Sequence, residues 1–177
     1  MKNTSKSGFT LMELLVVIAI IGILASVTIN AVSSAREKAK IAKVKSILRD
    51  LDTGVHTLGL DTGKWPVAQA ATSAQDADTT YCNNAPNNNE VADLNASKAG
   101  LLASHAFFPD WNGPYVNTVP LDPWGNNYFF DSDYQLDNQG FPDYIGTVVG
   151  SYGPNGVGNN QYDEDDIVRV LVKEDCS

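Results

Sequence analysis

The polarity of the chain changes three times along its length. Residues 14–35 run for 22 positions without a charged side chain, enough for a helix to cross about 30 Å of hydrocarbon. Ile41, Val44, Leu48, Leu51, Val55 and Leu58 then recur at alternating spacings of three and four, an apolar seam along one face of a helix. Arg36, Lys38, Lys40, Lys43, Lys45 and Arg49 take the other faces. Together the two stretches predict one helix that begins near Phe9 and stops at Gly59, a suitable C′ residue. Such a helix spans about 50 residues, or roughly 75 Å at 1.5 Å per residue. No globular core needs a helix that long, but a filament can use one.

Beyond the helix the pattern breaks up. Leu60-Asp61-Thr62-Gly63-Lys64-Trp65-Pro66 carries the punctuation of a loop. Residues 67–112 are rich in Ala, Asn, Asp, Ser and Thr with weak periodicity, which predicts an irregular excursion over the surface in which 90–103 can form a short helix. Asp122-Pro123-Trp124-Gly125 then sets Asp, Pro and Gly where a type I turn prefers them. Strands are predicted at 127–130, 144–152 and 167–172, a small antiparallel meander. A sheet with one apolar face packed on the seam of the spine helix makes the fold class α+β. Trp65, Trp111 and Trp124 are expected to pack that sheet against the helix.

Composition excludes whole-chain disorder and a disulfide scaffold: of 177 residues, 43% are hydrophobic, 19% charged and only 2 are Cys. The net charge of −9 is unevenly spread. Residues 1–49 hold 8 basic and 2 acidic groups, so the remainder carries 4 basic against 19 acidic groups, a balance of −15. Nucleic-acid binding by so acidic a head is excluded unless a cation intervenes.

A short basic preface, Met1-Lys2-Asn3-Thr4-Ser5-Lys6-Ser7-Gly8, precedes the apolar run. An ordinary secretory signal has that order, with Ala25 and Ser26 available for cleavage. Glu13 at the head of the apolar run opposes that reading, because a carboxylate there asks for a partner. So does the helical pattern, which continues past the cleavage point. The six basic residues beyond the span outnumber the two in the preface, which taken alone places the C-terminal side in the cytoplasm.

Lys6-Ser7-Gly8-Phe9-Thr10-Leu11-Met12-Glu13-Leu14-Leu15 with its apolar run resembles the processing signal of type IV pilins and type II secretion pseudopilins. The resemblance implies a leader at 1–8, cleavage after Gly8 by a prepilin peptidase on the cytoplasmic face, and N-methylation of Phe9. It also implies that Glu13 neutralises the N-terminal amine of an adjacent subunit. Further along, Pro120-Leu121-Asp122-Pro123-Trp124-Gly125-Asn126-Asn127-Tyr128, Ser151-Tyr152-Gly153-Pro154-Asn155-Gly156 and Asp165-Asp166-Ile167 resemble the major pseudopilin of type II secretion systems within the pilin-like superfamily. The implied organisation is a leader at 1–8, a transmembrane and assembly half of the spine at 9–35, an amphipathic half at 36–59, and a head at 60–177. The head divides into the excursion 67–112 and the antiparallel sheet 113–177. The excursion is longer than that family leads one to expect, and Asn30 stands where many members carry Pro.

Residues 150–166 form a Gly- and Asn-rich loop ending in Asp163-Glu164-Asp165-Asp166. Calcium takes six to eight hard oxygens, which a loop of this kind can supply, although a solvated acidic turn has the same composition. The resemblance favours calcium, with Asn155, Asp163, Asp165 and Asp166 as candidate ligands and Asn155-Gly156 in place of the family's Asp-Gly step. Cys82 and Cys176 are an even pair in a chain expected to lie mostly outside the cytoplasm, where a disulfide is the default and two free thiols the alternative. Enzyme chemistry is not expected: His56 and His105 stand far apart with no partner at triad or metal spacing.

The function expected is that of a structural subunit, a homopolymer whose partners are the prepilin peptidase, an inner-membrane assembly platform, minor pseudopilins and the membrane itself. The expected location is the bacterial inner membrane, single-pass, with the head outside the cytoplasm. Two alternatives stand beside a pseudopilus: a subunit of a surface type IV pilus, and a membrane-anchored or secreted calcium-dependent binding module.

Overall fold

The computed structural model describes residues 8–66, 90–136, 144–158, 161 and 163–175. The chain falls into two units, Met1–Lys40 and Ile41–Ser177. Helix α1, Leu11–Thr62, contributes to both.

In the first unit α1 carries an 18-residue window of mean hydropathy 2.6, and one helix among the described residues is long and apolar enough to cross a membrane. Its side chains from Leu11 to Leu24 are exposed, Leu11 at 88% and Ile23 at 67%. In water that much apolar surface favours burial by lipid or by other chains. The helix continues unbroken through Asn30.

In the second unit the seam is buried as its spacing predicts: Val44, Leu48, Leu51, Val55 and Leu58 are each 0–1% exposed, while Ile41 is half-buried. Gly54 lies on the same side for a different reason. A Cβ there would come within 2.6 Å of Val116 Cγ1, so the 115–116 loop reaches the helix only because this position has no side chain. The helix does not stop at Gly59 as expected but runs to Thr62. Thr62 Oγ1 donates back to the Leu58 carbonyl (2.7 Å), the Gly63 N–H donates to the Gly59 carbonyl (2.8 Å), and Gly63 takes the left-handed φ of 68°. Gly63 is therefore the residue that ends the helix, and Trp65 then stacks on Phe130 with ring centroids 6.1 Å apart.

Strands β1 (Tyr128–Gln135), β2 (Tyr144–Ser151) and β3 (Ile167–Asp175) form an antiparallel sheet in the order β1-β2-β3. Tyr128 pairs with Ser151, and Ser151 with Ile167. The sheet is apolar on both faces rather than one. Tyr128, Phe130 and Val149 join the helix seam in the main core, with Trp65, Trp111 and Trp124 packed against it. Phe129, Tyr134, Leu136 and Val148 form a second cluster with Tyr152, Val168 and Val170. β1 is longer than expected because of a bulge between Asp131 and Tyr134. The extra residue shifts the alternation, so Tyr134 falls in the cluster of Phe129 instead of facing the helix.

Residues 90–103 do not form the short helix expected. Val91 exchanges two backbone bonds with Phe130 (2.7 and 3.0 Å), and the Leu94 N–H donates to the Tyr128 carbonyl (3.0 Å), so this segment covers the free edge of β1. Asp93 Oδ1 accepts the Asn95 N–H (2.8 Å), which diverts the chain locally. Only a 3₁₀ turn, Ser97–Ala99, follows, and it ends at left-handed Gly100. Asp52 on the helix pairs with Arg169 on β3 and with His56 Nδ1 (2.8 Å), a contact of under about 1 kcal/mol at this exposure. Cys82 and Cys176 lie outside the described residues.

Candidate functional site

At the N-terminus, Gly8, Phe9 and Thr10 precede the helix and are exposed, Phe9 at 90%. A Cβ built on Gly8 meets nothing within 4 Å. The fold therefore does not demand a glycine there. Thr10 is the N-cap and Glu13 the third helical residue. Glu13 Oε2 accepts the Thr10 N–H and hydroxyl (both 2.9 Å), and Thr10 Oγ1 accepts the Glu13 N–H (3.3 Å). This is a reciprocal capping box, and it gives Glu13 a partner within its own chain. The spacing Thr10-Leu11-Met12-Glu13 ahead of an apolar run was its sequence signal.

The second candidate lies where β2 passes to β3. Asp122 is 5% exposed and organises the turn that supports it. Its Oδ1 accepts the N–H groups of Trp124 (2.9 Å) and Asn126 (2.8 Å), and its Oδ2 accepts the Ser151 hydroxyl (2.6 Å). Ser151 Oγ in turn accepts the Gly153 N–H (3.2 Å), and Asn126 Nδ2 donates to the Gly153 carbonyl (3.0 Å). Gly153 has φ 62°, and a Cβ there would lie 2.1 Å from the Asp165 carbonyl oxygen. That close approach brings the two limbs of the loop together.

The structure gathers three of the four candidate ligands. Asn155 Nδ2 donates to Asp163 Oδ2 (2.8 Å) and Asp165 Oδ1 (2.5 Å), and the Asn155 N–H donates to Asp165 Oδ2 (3.0 Å). Asp166 turns inward instead. Its Oδ2 accepts the Tyr134 hydroxyl (2.8 Å) and the Asp163 N–H (3.4 Å), and its Oδ1 is buried with no hydrogen-bond partner among the described residues. Among the described residues no three Asp, Glu, His or Cys side chains converge as a metal set.

The electrostatics are those of crowded carboxylates. The Asn155 amide holds Asp163 below the usual carboxylate range, whereas burial and then the Asp163 carboxyl push Asp165 up. Burial raises Asp166 to about 6. Carboxylate and amide oxygens are the donors a hard cation takes, but Asn155 Oδ1 accepts the Val157 N–H (2.7 Å), so that oxygen turns to an ion only by giving up this bond.

The hydroxyls of two tyrosines were not singled out from the sequence. Tyr134 and Tyr152 hydroxyls are directed at Asp166 and Glu90 respectively, and burial pushes both phenols up. His105 packs on Phe107 at 4.4 Å, and His56 lies edge-on to Trp65 at 5.8 Å, both structural placements.

The N-terminal segment matches the family described as prokaryotic N-terminal methylation motif over residues 3–29. Over 150 residues the chain is 31% identical to a type II secretion system core protein G of Klebsiella pneumoniae, covering 85% of this chain and 86% of that protein. It is 30% identical over 128 residues to the core protein G of Aeromonas hydrophila, covering 72% and 74%. It is also similar to the crystal structure of the major pseudopilin from the type 2 secretion system of enterohaemorrhagic Escherichia coli. That match has 22% identity and a TM-score of 0.46 over 77% of this chain and 90% of the other.

Proposed function

The chain belongs to the core protein G family of type II secretion systems, the major pseudopilins, and from that membership we infer that it is a structural subunit of a secretion pseudopilus. It is made as a precursor, processed by a peptidase at its methylation motif, held in the inner membrane by the apolar half of α1, and assembled into a polymer. Cleavage falls after Gly8, and Phe9 is the methylated N-terminus. Its role is mechanical and not catalytic. The observation that carries the reading is a likeness that runs through both the N-terminal motif and the head. An ordinary cleaved signal followed by an unrelated domain does not account for that.

The finer partners follow from the same reading. The spine helices leave lipid to pack on one another, Glu13 meets the N-terminal amine of a neighbouring copy, and an inner-membrane platform with minor pseudopilins drives and primes growth. Intact mass of the mature protein without reduction tests the processing directly. The expected product begins at Phe9, carries one methyl group, and lacks the two hydrogens that a Cys82–Cys176 bond removes. A start near Val27 overturns the filament reading in favour of ordinary secretion. Long surface filaments labelled on wild-type cells would move the subunit to a type IV pilus.

The head is proposed to bind calcium in the 152–166 loop. Asn155, Asp163 and Asp165, which the structure brings together, supply oxygens, and Asp166, whose Oδ1 has no hydrogen-bond partner among the described residues, is the fourth proposed ligand. With the leader removed the chain holds 10 basic and 21 acidic groups, so a bound cation also offsets repulsion between crowded heads. Thermal melts with excess calcium and with chelator are the check. Calcium at 100 times its Kd should stabilise the head by about 2.7 kcal/mol, several degrees in Tm. Coincident melts would leave a plain acidic turn.

A further inference from the structure

The loop between β2 and β3 is anchored twice. One anchor is the Asp122 turn beneath Ser151 and Gly153. The other comes from a different part of the chain. Tyr152, the first residue of the loop, stacks on Phe129 with ring centroids 4.4 Å apart and planes 14° from parallel. Gly158 lies against the same ring, where a Cβ would come within 2.0 Å of a ring carbon. The Tyr152 hydroxyl donates to Glu90 Oε1. Glu90 is 6% exposed, and the residue after it, Val91, is bonded in both directions to Phe130 on β1. The carboxylate is thus fixed relative to the strand that also supplies Phe129.

A buried carboxylate is costly unless it is hydrogen-bonded, and the Tyr152 hydroxyl supplies Glu90 with such a bond. What Glu90 does hold is the limb of the loop that carries Asn155. With Tyr152 seated, Gly153 meets Asp165, and Asn155 spans Asp163 and Asp165. With Tyr152 released, the 152–158 limb loses its ring contacts with Phe129 and Gly158, and the donors on the two limbs are free to separate. We propose that Glu90 is a positioning residue for divalent-cation binding by the 152–166 loop, acting through the Tyr152 hydroxyl. The proposal rests on the calcium reading of that loop and makes the segment beginning at Glu90 part of the site's support.

Calcium titration calorimetry on the full mature chain in detergent tests it, with hydrogen exchange at the amides of 153–157 read in calcium-free protein. Tyr152→Phe and Glu90→Ala are each expected to raise the calcium Kd about tenfold, the usual cost of losing an outer-shell contact. Both should speed exchange at 153–157, and the double variant should bind no worse than either single one. Glu90→Gln keeps an oxygen acceptor and should stay near wild type in both readouts. If Glu90 acts instead through its charge, Gln will weaken binding as Ala does and Tyr152→Phe will bind normally, which overturns the proposal. Lower stability with unchanged Kd and unchanged loop exchange overturns it too. A wild-type chain that takes up no calcium defeats the cation reading, a result distinct from wild-type uptake with unaffected variants.

Discussion

Asp122→Ala is expected to destabilise the head by about 4 to 5 kcal/mol, the sum of three charge-assisted hydrogen bonds worth about 1.5 kcal/mol each. The carboxylate is 5% exposed, so water does not readily replace it. Its loss strands the N–H groups of Trp124 and Asn126 and the Ser151 hydroxyl together. The damage does not stay in the turn, because Ser151 and Asn126 both hold Gly153. Asp122→Asn retains the Oδ1 acceptor but presents an NH₂ to Ser151, so a smaller loss of about 1 to 2 kcal/mol is expected. Urea unfolding of the full chain in detergent, followed by tryptophan fluorescence, gives the ordering: wild type, then Asn, then Ala. An Asp122→Ala midpoint equal to that of wild type would mean that the turn holds without its carboxylate.

The spine was legible because burial on a helix imposes a period of 3.6 that few other constraints imitate. Val44, Leu48, Leu51, Val55 and Leu58 satisfy it, and all are buried. Gly54 was not legible, since its requirement comes from Val116, far away in sequence. The end of the helix was misplaced for a local reason. Gly59 and Gly63 are equally plausible stops, and the Thr62 hydroxyl bond to Leu58 favours the second. β1 was cut short because Asp131-Ser132-Asp133 reads as a solvated turn, whereas Asp131 and Ser132 are buried and the bulge carries the strand past them.

The candidate loop was legible as acidic and glycine-rich, but its division of labour was not drawn out. Period-two alternation from Val168 and Val170 puts Asp166 on their face of the sheet, which is why it meets Tyr134 while Asp163 and Asp165 meet Asn155. Glu90 gave no such signal. It stands in a stretch without periodicity, and the bond that holds it comes from Tyr152, far away in sequence. Segments that cover a sheet edge answer to the strand they pair with, so their own composition says little about which polar residue will be enclosed.

Glu13→Gln and Glu13→Ala are both expected to insert in the membrane normally and to lower filament yield about tenfold or more, by the logic that an apolar interface tolerates an ammonium only when it is paired. The capping box lets the capping role of the residue be separated from its proposed pairing with a neighbouring amine. Within one chain Glu13 closes the first turn of the helix against Thr10, and Gln at that position closes it nearly as well. Between chains only a carboxylate can neutralise the amine of Phe9, so Gln should fail as Ala does. Thr10→Ala makes the converse change, opening the cap while keeping the charge, and should assemble far better than either. Sheared filament fractions weighed against the membrane pool measure all three. Wild-type yield from Glu13→Gln would assign the residue to helix capping alone. Equal failure of Thr10→Ala would mean that the cap must orient the carboxylate before a neighbouring amine can reach it.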